Sequence, residues 1–164
     1  MAGTYVSDEA YQAFTTLSEY LLAVDAVIVS ARAGLDIYDT DLVDLAFEDM
    51  ARYELLRSFL AQGATRHLRI VLRDLLYVQQ RAARLQQLMR DFSHQVEIRM
   101  VAETRDADAF IYSDAGVCLY RPQHDHPKSI LTLGDLSRYR LFSSRFAQMF
   151  DASEQAVSST TLGL

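Results

Sequence analysis

The run from Asp106 to His126, DADAFIYSDAGVCLYRPQHDH, gathers the residue types that do chemistry into 21 positions. Asp106, Asp108 and Asp114 are carboxylates suited to proton transfer or cation binding. His124 and His126 add two imidazoles, and Arg121 adds a planar guanidinium able to anchor a phosphate or carboxylate. Strand alternation puts Asp106 and Asp108 on one side of a strand start, where paired acids are usually solvated. Asp114 stands at a turn. The His124-Asp125-His126 pair supplies two ligands where a metal site needs three or four, so no metal and no cofactor is expected from this motif. For Arg121 an anion anchor competes with an internal salt bridge to Asp41, Asp106 or Asp114.

These residues need a scaffold, and hydrophobic periodicity outlines it. Leu17, Tyr20, Leu21, Val24, Val27, Ile28 and Ala31 fall on one helical face. Residues 35–39 (LDIYD) read as a buried strand, and Asp39-Thr40-Asp41 as a turn able to cap a helix that begins between Val43 and Met50 and ends near Gly63. Residues 68–74 (LRIVLRD) form the next strand, with Asp74 capping a helix that carries Val78, Ala82, Leu85, Leu88, Met89 and Phe92. Strands follow at 96–101 (VEIRMV), 109–113 (AFIYS) and 117–121 (VCLYR), the last two joined by a tight turn at Asp114-Ala115-Gly116. Asp135 opens a final helix, and a loosely held tail is expected from about residue 152. Such alternation predicts an α/β domain with a mostly parallel mixed sheet flanked by helices. In such sheets, sites form at strand ends, which directs attention to Asp39, Asp41, Asp74 and the acids near Asp106.

Several functions are disfavoured at once. The sequence has no GxGxxG or GxxxxGK[ST] phosphate loop, no GxSxG elbow and no CxxC pair. Its 164 residues fit one domain, 1–164, with no repeat or linker. No apolar run is long enough to span a membrane and the N-terminus lacks a secretory pattern, so a cytoplasmic protein is expected. Cys118 is the single cysteine and agrees with that compartment. The net charge of −6 disfavours general attraction to nucleic acid or an anionic membrane. Charge is uneven, however: residues 1–65 carry eleven acids against three arginines, while 66–105 carry eight arginines against four acids. Arg66, Arg69 and Arg73, with Arg81, Arg84 and Arg90, could form a phosphate- or nucleic-acid-binding face. The competing reading is a solvated face complementing the acidic first 65 residues.

From Ala107 to His124 the sequence resembles one half of the phospholipase D-like superfamily, whose signature His-x-Lys-x4-Asp is followed about six residues later by Gly-Ser-x-Asn. Aligned on that signature, Ala107 stands in the histidine slot, Ala109 in the lysine slot and Asp114 in the aspartate slot. Arg121 and Pro122 replace Gly-Ser, and His124 falls in the Asn position. More narrowly, the chain from LDIYDTDL through DAFIYSDAGVCLYRPQHD to the closing LGL resembles an uncharacterised bacterial domain family, also found behind acetyltransferase domains. The superfamily resemblance implies a phospholipase D-like half-fold and, because single-half members pair two copies around one site, a homodimer. In the active superfamily the histidine forms a phosphoenzyme and the lysine neutralises phosphate charge, tasks alanine cannot perform. The expectation is therefore a non-catalytic module that binds a protein partner or a phosphate-bearing ligand, with Asp106, Asp108, Asp114, Arg121 and His124 as candidate contacts. Two rivals remain: a phosphodiester hydrolase rebuilt around His124, Asp114 and Arg121, and a nucleic-acid binder using the arginine face.

Overall fold

A computed structural model describes residues 11–101 and 105–157. Eight strands form one sheet: β1 (Tyr11–Phe14), β2 (Gly34–Asp39), β3 (His67–Leu72), β4 (Val96–Met100), β5 (Ala109–Ser113), β6 (Val117–Arg121), β7 (Ser129–Leu133) and β8 (Glu154–Val157). Their spatial order is β1-β7-β6-β5-β2-β3-β4-β8. The expected mixed sheet flanked by helices is present, but among the described strands it is mostly antiparallel where a mostly parallel sheet was expected, because hairpin-like pairings extend both sides of the parallel core. Its parallel part is β2–β3–β4, and the remaining pairings, including β2 with β5, are antiparallel.

Alternation sorts the side chains of each strand into two cores. Leu35, Ile37, Leu68, Ile70, Ile98, Ile111 and Leu119 face α1 (Leu17–Ser30), α2 (Met50–Ala61), α3 (Leu76–Arg81) and α4 (Ala83–Asp91). Tyr38, Val71, Phe110, Tyr112 and Cys118 face the opposite way, covered by α5 (Leu136–Ala152) through Phe142, Phe146 and Phe150. One face is thus largely aliphatic under several helices, and the other is aromatic under one. Burial pushes the Cys118 thiol up to about 12, so it stays protonated and inert at neutral pH.

Local capping explains the helix bounds. Thr16, Asp49 and Asp135 accept from backbone N–H groups three residues ahead, at 3.2, 3.1 and 3.1 Å, to start α1, α2 and α5. The single helix expected after Asp74 is broken at Ala82, whose ψ of 60° leaves the helical region. The Glu48 carboxylate accepts from the Arg84 and Leu85 N–H groups at the new helix start, and the Gln86 amide donates to the carbonyls of Val78 and Gln79 across the break. The helix expected to begin between Val43 and Met50 starts at Met50, the late end of that range, because Leu42 and Ala46 adopt left-handed backbone, with φ of 73° and 50°. The β5–β6 turn falls where expected, closed by a Gly116 N–H to Ser113 carbonyl bond with Gly116 at φ 79°.

Three strands were not foreseen. β1 and β7 pair with each other and extend the sheet beyond β6. β8 pairs with β4, so residues 154–157 are a sheet edge where a loose tail was expected. The closing LGL and residues 1–10 lie outside the described residues.

Candidate functional site

The aligned slots other than Asp114 gather at one end of the sheet. β2 runs antiparallel to β5 with Tyr38 opposite Phe110, which brings Asp39 alongside Ala109. Across the next ladder Ala109 is paired with Arg121. Alternation turns Asp39, Ala109 and Arg121 toward the α1 side. The lysine slot is therefore a buried methyl group between a buried carboxylate and a buried guanidinium: Asp39, Ala109 and Arg121 are 1%, 1% and 3% exposed. Ala107, in the histidine slot, is exposed, and its carbonyl accepts a 2.7 Å bond from the His124 N–H.

Arg121 is held inside this end of the fold. Its Nε donates to the His126 carbonyl at 2.6 Å, its Nη1 lies 3.0 Å from Asp44 Oδ2, and its guanidinium stacks 5.0 Å from the Tyr20 ring centre. The ion pair was expected, but its partner is Asp44 in place of Asp41, Asp106 or Asp114. Burial, reinforced by Asp39, pushes the Tyr20 hydroxyl far above its ordinary value, so it remains a neutral wall of the site. Asp39 is also pushed upward, chiefly by burial. His124 stands at the rim, its Nε2 3.7 Å from Asp41 Oδ1. His126 is exposed and its side chain borders a separate depression with Pro122, Pro127 and Lys128.

On the α5 side of the same strand start, Asp108 is not the solvated acid that alternation suggests. It is 8% exposed and grips Arg145 of α5 at 2.5 and 2.8 Å, while Asp106 adds a 3.2 Å contact to the same guanidinium. Arg145 sits 5.3 Å from the ring centres of both Tyr38 and Phe110. Arg73 also lies over the Tyr38 ring, 4.9 Å from its centre, bonded to the Asp108 carbonyl at 2.9 Å and to the Thr40 hydroxyl. Burial works against ionisation of Asp108, but the Arg145 hydrogen bonds prevail and hold its carboxyl below the usual range. A carboxyl depressed in this way stabilises the fold at pH values above about 3.9, its unfolded value, and that stabilisation fades as pH falls through the lower folded value. The stability difference between wild type and Arg145→Met should therefore be full at neutral pH and shrink below about pH 4. Chemical denaturation across pH 2.5 to 7 reads this directly; a difference independent of pH would refute the linkage.

Asp114 belongs to the other end of the sheet. Its carboxylate accepts from the Arg32 and Ala33 N–H groups at 2.8–3.1 Å, fixing the chain just before β2. These bonds hold its carboxyl below the ordinary value despite partial burial. The length of β5, about 3.3 Å per residue, separates it from Ala107 and His124. The candidates therefore form three groups: Arg121 with His124, Asp106 with Asp108, and Asp114 apart.

The arginine face is largely committed to internal contacts. Arg69 binds Asp36 through two bonds of 2.9 and 2.7 Å, Arg84 binds the Glu48 carbonyl, and Arg66 lies over Phe59. Arg69 answers an acid of the first 65 residues, Asp36, while Arg66, Arg73 and Arg84 meet a ring, backbone carbonyls and a hydroxyl.

Among the residues that complete the site, Asp44 and Tyr20 were missed. Asp39 and Asp41 were legible only as acids at a strand end. The available signal was DIYDTD, a strand closing in acids at the carboxyl edge of a parallel pair. Asp41 also lines a cleft of about 260 Å³ with Asp74, Tyr77 and Arg81. Among the described residues no helix is long and apolar enough to cross a membrane.

Solved structures share this architecture. An archaeal chromatin protein, TrmBL2, whose structure shows a novel mode of DNA binding, superposes with a TM-score of 0.68 at 12% identity; the match covers 93% of this chain and 56% of that one. The chain thus spans little more than half of that protein. Nuc from Salmonella typhimurium, a phospholipase D family member, gives 0.61 at 12% identity, covering 91% of this chain and 99% of its own. NucT from Helicobacter pylori gives 0.62 at 10% identity, covering 89% and 98%. These likenesses show the phospholipase D-like fold. No curated protein matches the sequence. The family described as a domain of unknown function (DUF7931) matches residues 16–162, and the chain belongs to that family.

Proposed function

We propose that this domain is a non-catalytic member of the phospholipase D-like fold, working as a homodimeric binding or protein-interaction module in the cytoplasm. The observation that carries the reading is the Asp39–Ala109–Arg121 rung: where the fold's enzymes need a nucleophile and a free cation, this chain has Ala107 and Ala109. The neighbouring cations are engaged, Arg121 with Asp44 and Arg145 with Asp108. A phosphoryl group arriving there would meet no side chain able to attack it from either slot, and loss of such a nucleophile can cost about a millionfold. The resemblance to domains carried behind acetyltransferases supports an accessory role. A hydrolase that joins His124, Arg121 and Asp114 has less support, because Asp114 is bonded at the far end of β5. DNA binding, which the chromatin protein performs, is opposed here by the net charge of −6 and by arginines already paired internally.

The test is turnover of bis-p-nitrophenyl phosphate by the purified chain beside His124→Ala. The expected result is no release above the buffer blank from either protein. Turnover by the wild type that disappears with His124→Ala would overturn the reading and restore His124 as a catalytic residue.

A further inference from the structure

The proposed function assigns no task to three side chains that converge at the rim of the site. Asp39 is 1% exposed; its Oδ2 accepts from the N–H groups of Leu42 at 2.7 Å and Asp41 at 3.3 Å, while its buried Oδ1 has no hydrogen-bond partner among the described residues. His124 Nε2 is likewise buried without such a partner. A buried carboxylate oxygen left without a partner is destabilising, so two orphaned groups close together need an explanation. One donor atom from each of Asp39, Asp41 and His124 lies within 4.8 Å of the others.

We propose that Asp39, Asp41 and His124 bind a divalent transition-metal ion, with Zn²⁺ the ion their nitrogen and oxygen donors fit. Three protein ligands with a remaining open position are the usual set for zinc that meets a ligand. Tetrahedral bonds of about 2.0–2.2 Å put donors roughly 3.4 Å apart; the 3.7 Å between His124 Nε2 and Asp41 Oδ1 is close to that spacing. Each ligand is also held from behind. Leu42 and Asp41 N–H groups orient Asp39, the Val43 N–H at 3.0 Å orients Asp41, and the His124 N–H anchors its loop to Ala107.

Charge agrees. Arg121, the guanidinium paired across the sheet to Ala109 beside Asp39, has its charge answered by Asp44. Ionised, Asp39 and Asp41 balance a divalent cation. The side chains of His124 and Asp41 are both partly exposed, which gives an ion access from solvent. Sequence spacing pointed to His126 as the partner of His124, whereas folding brings two aspartates from 83 and 85 positions away. The rival explanation is a proton on His124 pairing it with one carboxylate.

The test is isothermal titration of the full, chelator-treated chain with ZnCl₂, with Co²⁺ absorption as a second readout of an imidazole-containing site. One ion per chain is expected. Because losing even an outer partner of a metal ligand weakens affinity about 10–100-fold, His124→Ala should weaken it by about 100-fold or more, and His126→Ala by less than about threefold. His124→Ala changes a rim side chain, and circular dichroism verifies its fold; Asp39→Asn, which keeps size and hydrogen-bond acceptors, gives an independent loss. Absence of saturable zinc binding, or binding that survives His124→Ala, would overturn the site. Either result is independent of the turnover assay, since a metal can be bound without phosphodiester cleavage.

Discussion

Phe146→Ala is expected to destabilise the domain by about 4 kcal/mol, the largest effect of any single truncation considered. The side chain is fully buried on the face that α5 alone covers. It stacks on Phe150 with ring centres 5.7 Å apart, meets Tyr112 edge-on at 6.1 Å, and carries the Arg69 guanidinium 5.3 Å from its centre. Truncation removes the transfer free energy of a buried ring, leaves a cavity, and deletes aromatic pairings worth about 0.5–1.5 kcal/mol each. Among the described residues the opposite face spreads its burial over four helices, whereas on this face α5 is the one helix available to close a gap. Urea denaturation followed by circular dichroism measures the loss, and a cost below about 1.5 kcal/mol would show that this aromatic layer is loosely packed.

The second large effect comes from polar groups on that same face. Asp36, 5% exposed, accepts two bonds from Arg69 and a third, of 2.7 Å, from the Tyr112 hydroxyl. Asp36→Ala leaves a buried hydroxyl and a half-buried guanidinium without their acceptor. Because Arg69 keeps partial access to water, the cost is set at about 2–3 kcal/mol, below the 3–5 typical of a fully buried broken pair. Most of that cost is the stranding of partners, so removing them should recover it: Asp36→Leu with Arg69→Met and Tyr112→Phe is expected to lie within about 1 kcal/mol of wild type. Denaturant midpoints of the single and triple variants decide the matter. A triple variant as unstable as the single one would mean that the network contributes net stability beyond satisfying its own members.

The residues behind these two predictions show what periodicity can and cannot reveal. Strands β2 to β6 were legible because their apolar residues are dense and bounded by turn residues, as in AFIYS-DAG-VCLYR. β1 was not, since YQAF is four largely exposed residues, and SILTL, although as long as AFIYS, is not set off by the tight turn that joins β5 to β6; their pairing with each other and with β6 defines them. The helix break at Ala82 was hidden because its compensation comes from Glu48, 34 positions earlier. The same limit governs the site. Local spacing joined His124 to His126 and Asp114 to the strand pair. Non-local pairing instead sets Asp39 beside Ala109, Arg121 against Asp44, and Asp108 against Arg145. The two slot alanines, by contrast, were visible at once, because a missing functional group needs no tertiary partner to be recognised.

The most direct measurement of the central claim is intact-mass analysis of the chain after acid-free quenching from a phosphodiester with a good leaving group, run at high enzyme concentration and over hours. A nucleophilic histidine would form a covalent phosphoryl adduct even if its release were slow. The account predicts the unmodified mass throughout, with the substrate recovered intact. A stoichiometric adduct, mapped to His124 or to any other histidine, would contradict it and make this domain an enzyme.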